Sequence, residues 1–165
     1  MSEPPPELRL AAALASGGGP VAVAESCTGG LIAHRITRVP GSSAYFDRGL
    51  VVYSNRAKVE LLGVPEDLLE THGAVSEACA RAMLEGLFRR SPARLGAAVT
   101  GIAGPTGGTP EKPVGTVWVA WGRPGRIRAE RLGLHGERTE IQEGAAEAVL
   151  QRLAREAELP WTETA

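Results

Sequence analysis

The sequence predicts an α/β fold, a mixed sheet covered by helices on both faces. Three features of the 165-residue chain carry that expectation. Short apolar runs alternate with amphipathic segments through most of the chain. Glycine clusters follow directly on two of those runs. A β-branched and aromatic stretch, closed by Arg123-Pro124-Gly125, marks a hairpin before a last helix. The length suits one domain with a substantial core, read here as a single unit over residues 1–165 with an extended lead-in at 1–6.

Taken in order, Glu7 to Ala15 reads as a helix between three prolines and Gly17-Gly18-Gly19. Val21-Ala22-Val23-Ala24 is a buried strand, leading through a glycine turn into a helix over Leu31 to Ile36. Leu50 to Tyr53 forms the next strand, and Asn55 suits the N-cap of a helix over Arg56 to Leu62 that Gly63 stops. Ser76 and Glu77 open a helix to about Arg90, with Ala80, Met83, Leu84 and Leu87 on one face. Leu95 to Val99 is a strand running into a second glycine loop, Thr100 to Gly108. Val114 to Trp121 and Arg126 to Leu134 form the hairpin. A final helix covers Arg138 to Ala157, with Ile141, Ala145, Ala148, Leu150 and Leu153 on its apolar side.

Composition narrows the function. Hydrophobic residues at 43% and charged residues at 22% are ordinary for a globular chain, which argues against disorder. A net charge of −1 without a basic stripe argues against nucleic acid as a partner. Cys27 and Cys79 are too few and too far apart for a CxxC pair or a zinc cluster. They read as reduced thiols of a cytoplasmic protein, with a disulfide between them as the alternative. His34, His72 and His135 show no ligand spacing, so neither metal nor cofactor is expected. No signal peptide is evident, and no apolar run approaches the ~20 residues of a membrane helix, so a soluble protein without membrane association is expected.

Three segments carry chemistry. In Glu25-Ser26-Cys27-Thr28-Gly29-Gly30, a strand-to-helix turn presents a hydroxyl where a helix N-terminus favours negative charge; simple capping by Ser26 or Thr28 is the alternative. In Thr100 to Gly108, the glycines follow a core strand at the sheet edge where α/β folds bind ligands, and successive N–H groups there can cradle a phosphate. A flexible connection is the alternative. In Tyr53-Ser54-Asn55-Arg56-Ala57-Lys58, the phenol and the amine can reach the same crevice, and a lysine of lowered pKa can act as a base. Taken alone, Lys58 reads as a solvated helix lysine and Tyr53 as a core aromatic with its hydroxyl at the surface. These loops together predict an enzyme domain that holds a phosphorylated small molecule between them.

In this order the motifs resemble the CinA C-terminal domain family, the nicotinamide mononucleotide amidohydrolases. The resemblance rests on Glu25 to Gly30, Gly41-Ser42-Ser43, Gly49 to Asn55 with Lys58, Gly73-Ala74-Val75-Ser76, Thr100 to Pro105 and Pro113 to Val117. It spans about Glu7 to Leu153. It implies a three-layer α/β/α sandwich with a mixed, mostly parallel sheet, the stand-alone form of the family, and a homodimer. The implied reaction is hydrolysis of the mononucleotide's carboxamide to nicotinate mononucleotide and ammonia, a step of pyridine nucleotide salvage. Near the last helix the family usually shows Gly-Asp-Arg and a further arginine. Gly136-Glu137-Arg138 fits the triplet, and Gln142 stands in the later position.

The assignment that follows has Ser26 attacking the carboxamide, Lys58 taking and returning the proton, and Tyr53 holding or relaying it. Backbone donors around Thr28, Gly29 and Gly30 would meet the oxyanion. Thr100, Gly101, Ala103, Gly104 and Gly107 with Arg138 would hold the 5′-phosphate, and Asn55 would line the substrate site. Ser26 could instead position a hydrolytic water. The alternative function is a non-catalytic nucleotide- or partner-binding module linked to competence or DNA damage.

Overall fold

The computed structural model describes residues 2–161. Among these, five strands form one sheet: β1 (Val21–Glu25), β2 (Phe46–Val51), β3 (Leu95–Gly101), β4 (Thr116–Arg123) and β5 (Arg126–Gly133). Their order is β2-β1-β3-β4-β5. β1 pairs in parallel with β2 and β3, whereas the β3–β4 and β4–β5 pairs are antiparallel. Four strands therefore run one way and β4 alone runs back. The tight turn between β4 and β5 permits only antiparallel neighbours.

The described helices are α1 (Pro6–Leu14), α2 (Leu31–Thr37), α3 (Asn55–Leu62), α4 (Glu66–His72), α5 (Glu77–Arg89) and α6 (Arg138–Glu158). The period-two alternation of the strands sorts the core into two layers. Val21, Val23, Leu95, Ala97, Val99, Val117 and Val119 face α1, α2 and α6. Ala22, Ala24, Ala98 and Ala120 face α5, whose Ala80, Met83, Leu84 and Leu87 are all fully buried. This is the three-layer α/β/α arrangement that the sequence predicts. Among the described residues no helix is long and apolar enough to cross a membrane.

Small residues on the α5 side let that helix approach closely. A Cβ at Gly96 would lie 3.1 Å from both Leu84 Cδ1 and Phe88 Cε1. Gly86 of α5 is tighter still, because a Cβ there would lie 1.9 Å from the Leu62 carbonyl oxygen at the end of α3. The contact fixes α3, and with it Lys58, against the sheet.

The structure corrects several boundaries. The strand expected at Leu50–Tyr53 is Phe46–Val51; β2 is an edge strand, and its exposed Asp47 and Arg48 interrupt the apolar pattern that signals buried strands. The strand expected from Val114 begins at Thr116, because Gly115 turns the chain at φ 94° with no room for a side chain beside the Leu134 carbonyl. Ser54, not Asn55, caps α3: its Oγ accepts from the Ala57 N–H at 3.0 Å, which leaves Asn55 as the first helical residue. The short helix α4 has no buried residue, so no apolar face announced it.

Gly86→Ala is expected to lower stability by about 1–3 kcal/mol, the usual range for forced overpacking, read as a lower urea midpoint. An unchanged midpoint would show that α3 and α5 are not held this closely.

Candidate active site

The end of β1 splits its side chains between the two faces of the sheet. Glu25 turns toward α2 and is fully buried. Its Oε1 accepts from the Thr28 hydroxyl at 2.6 Å and the Ile32 N–H at 2.9 Å, and its Oε2 from the Ala33 N–H at 3.0 Å. The N-terminus of α2 is thus stoppered by a carboxylate of the protein itself. Ser26, the next residue, turns to the opposite side. Its backbone is held by its own N–H to the Val99 carbonyl and by the Gly29 N–H on its carbonyl, each at 3.1 Å.

On that side lies Lys58, whose side chain is 1% exposed although it sits in an amphipathic helix. Its Nζ lies 3.0 Å from Ser26 Oγ, 3.0 Å from the Val52 carbonyl and 3.1 Å from the Tyr53 carbonyl. None of these acceptors is a carboxylate. Burial therefore lowers the Lys58 pKa from its ordinary value; the Cys79 and Cys27 thiols, both buried, are the groups that oppose the shift. Nζ donates to all three oxygens and the Ser26 hydroxyl lies 3.4 Å from the Tyr53 carbonyl, so in its neutral form the amine has a lone pair within reach of the Ser26 hydroxyl proton. Cys27 is adjacent to Ser26, yet burial pushes its thiol up to about 12, so it stays protonated and weakly nucleophilic at neutral pH.

Ser26 and Lys58 open into a cavity of about 280 Å³ at the carboxyl ends of β1 and β3. Of the residues expected in the site, Tyr53, Asn55, Thr100, Gly101, Ala103, Gly104, Gly107 and Arg138 all line it. Arg138, the first residue of α6, donates from Nη1 to the Gly104 carbonyl at 2.6 Å and from Nη2 to the Tyr53 hydroxyl at 2.9 Å. The N–H groups of Cys27, Ala103, Gly104, Thr106 and Gly107 have no hydrogen-bond acceptor among the described residues. Such unpaired donors on glycine-rich loops are suited to an anion.

Two expectations do not match this geometry. Thr28, Gly29 and Gly30 do not line the cavity, because Thr28 turns inward to Glu25 and the α2 terminus is already occupied. The Tyr53 phenol bonds Arg138 and neither Lys58 nor Ser26; the side chain is 58% exposed, and it is the Tyr53 backbone carbonyl that reaches the amine. Five cavity residues were not anticipated individually: Cys27, Ala74, Val75, Ile102 and Thr106. The signal for Ala74 and Val75 was present in the Gly73-Ala74-Val75-Ser76 motif, whose Ala74 carbonyl accepts from the Thr100 hydroxyl at 2.9 Å.

A larger groove of about 870 Å³ lies between α1, α2 and α6, away from these groups. Its Arg35 is spent on Glu7 and Glu147, and its Arg9 on Glu3 and Glu158. Its Arg38 has no ion-pair partner among the described residues, but no hydroxyl–amine pair lies there.

The sequence matches the CinA C-terminal domain family over residues 5–157. It is 52% identical over 133 residues to the nicotinamide-nucleotide amidohydrolase PncC of Pseudomonas putida, covering 81% of this chain and 83% of that one. It is 56% identical over 151 residues to a putative competence-damage inducible protein of Symbiobacterium thermophilum, covering 86% of this chain. There the chain spans only about a third of the relative's length, 35%. Among solved structures it is similar to a CinA superfamily protein of Klebsiella pneumoniae, with a TM-score of 0.88 at 35% identity over 92% of this chain and 95% of that one. It is also similar to a competence/damage inducible protein of Agrobacterium tumefaciens, with a TM-score of 0.86 at 41% identity over 94% and 98%. With the family's domain matched over nearly the whole described chain and its fold reproduced at this level, the chain belongs to the CinA C-terminal domain family.

Proposed function

We propose that this chain is an amidohydrolase that converts nicotinamide mononucleotide to nicotinate mononucleotide and ammonia. The observation that carries the reading is the buried Lys58 amine, 3.0 Å from the Ser26 hydroxyl and without a carboxylate partner. A binding module has no use for a desolvated amine beside a hydroxyl, whereas such a pair can activate the hydroxyl as the nucleophile of an amide hydrolysis. The amidohydrolase name of the Pseudomonas relative supports the same reaction class.

In the proposed reaction Ser26 Oγ attacks the carboxamide carbon while Lys58 Nζ takes the hydroxyl proton. The tetrahedral oxyanion is met by free N–H groups on the cavity wall, those of Cys27 and Ala103, in place of the Thr28–Gly30 donors. As the C–N bond breaks, the Lys58 ammonium returns its proton to the leaving nitrogen, which departs as ammonia. Water then attacks the acyl ester with Lys58 again as base, releasing the carboxylate and restoring Ser26. Arg138 and the N–H groups of Gly104, Thr106 and Gly107 hold the 5′-phosphate, with Thr100 and Gly101 in the wall behind and Asn55 at the mouth.

Ser26→Ala and Lys58→Met are each expected to lower kcat for ammonia release from the mononucleotide by about 10³-fold or more, with the circular dichroism spectrum unchanged. Wild-type turnover in Ser26→Ala would remove the hydroxyl from the mechanism. The pH profile should reflect the base. Only the neutral amine accepts the proton, so kcat/KM climbs as pH rises through the Lys58 pKa and then levels. Because burial lowers that pKa, the plateau begins below the ordinary lysine range. A rate still climbing through pH 10.5, the ordinary lysine value, would argue against an amine held in this state. The corresponding riboside, lacking the phosphate, should show kcat/KM reduced by about 100-fold or more, since charge-assisted phosphate contacts are lost.

A further inference from the structure

The backbone around Ser26 is held at three points, and only one of them is supplied by a side chain. The Ser26 N–H is bound to the Val99 carbonyl, and the Ser26 carbonyl accepts from the Gly29 N–H. These bonds belong to the main chain and persist through substitution. The third point is the Cys27 carbonyl, which accepts from Gln142 Nε2 at 3.0 Å. Gln142 stands one turn after Arg138 on α6, so the two side chains share a face of the helix. Arg138 binds the 100–108 loop and Tyr53, and Gln142 binds the Ser26 turn. One turn of α6 thereby joins three segments that meet at the cavity.

Gln142 does not line the cavity, so it is placed to act on the turn and not on a bound molecule. Its amide fixes the peptide that follows Cys27. The free Cys27 N–H and the Ser26 hydroxyl lie immediately before that peptide, and their aim at the cavity depends on the turn keeping its shape. Glu25 holds the downstream half of the same turn through Thr28, Ile32 and Ala33, and none of its hydrogen bonds among the described residues goes to Cys27. The geometry points to Gln142 as a positioning residue: its carboxamide N–H pins the Cys27 carbonyl and so preorganises the Ser26 turn for reaction. The inference rests on the amidohydrolase reading for its kinetic consequence and on the hydrogen bond alone for its structural one.

Two variants and two readouts test it. Gln142→Met keeps the side-chain length and removes the donor; Gln142→Arg restores a donor able to reach the same carbonyl. For ammonia release from nicotinamide mononucleotide, the Met variant should show kcat lowered about tenfold with KM within twofold, since a small misplacement of a reacting group costs rate more than binding. The Arg variant should recover kcat to within about threefold of wild type. Hydrogen–deuterium exchange on the intact chain should show faster uptake in the Met variant confined to the amides of residues 27–31. Wild-type kcat and wild-type uptake in the Met variant would overturn the proposal. So would faster uptake spread along α6 and the sheet, which would mark a merely structural residue, or an Arg variant as slow as the Met one. If the wild-type protein releases no ammonia at all, the amidohydrolase reading fails, and the exchange comparison still decides whether Gln142 holds the turn.

Discussion

The rest of the site depends on one buried contact, the amine of Lys58 against the Ser26 hydroxyl and two backbone carbonyls. Placing an amine in a dry environment is costly unless its hydrogen-bonding capacity is met. Here it is met entirely by neutral oxygen atoms, so the donors are satisfied without a counter-charge to offset the loss of solvent. That combination separates this lysine from one held by a carboxylate, whose charged form would be favoured. It also explains why α3 must sit so close to the sheet. Val52 and Tyr53 present their carbonyls to Nζ only because the chain leaves β2 and caps α3 within a few residues, at Ser54.

A second constraint is the division of labour at the end of β1. Successive side chains of a strand point to opposite faces, and the chain uses this to keep apart a carboxylate and a hydroxyl that would interfere with each other. Glu25 faces α2, where three donors satisfy its carboxylate. Ser26 faces Lys58. Had the carboxylate lain on the same side as the amine, the pair would have formed an ion bridge and the base would have been lost. The α2 terminus, which a glycine-rich turn suggests as an anion site, is instead filled from within. The residues that line the cavity and keep unpaired N–H groups among the described residues are Cys27 and members of the 100–108 loop.

The broad architecture was legible because it is written in local periodicities. The apolar run Val21–Ala24, the apolar face of Ala80, Met83, Leu84 and Leu87, and the hairpin around Pro124 each report the environment of a single element. Where the environment is not the core, the pattern fails. The edge strand β2 carries Asp47 and Arg48 in its middle, and α4 buries nothing, so neither announced its bounds. The two glycine loops were legible for a related reason: a run such as Thr100 to Gly108 exceeds what a turn needs. The loops' own backbone direction was not. Thr28, Gly29 and Gly30 have the composition of a ligand-binding turn and do not line the cavity.

By itself, then, the sequence determined a layered α/β fold, two glycine-rich loops at strand ends, and the residue types available for chemistry beside them. Only the tertiary structure decided which of those residues meet. Lys58 reaches a hydroxyl 32 positions away, Arg138 a carbonyl 34 positions away and a phenol 85 away, and Gln142 a carbonyl 115 away. Contacts at such separations are set by how helices pack across the sheet, and no short window of residues encodes them. The state of Lys58 follows from the same cause, since its charge is governed by the solvent that packing removes and not by its neighbours in the chain.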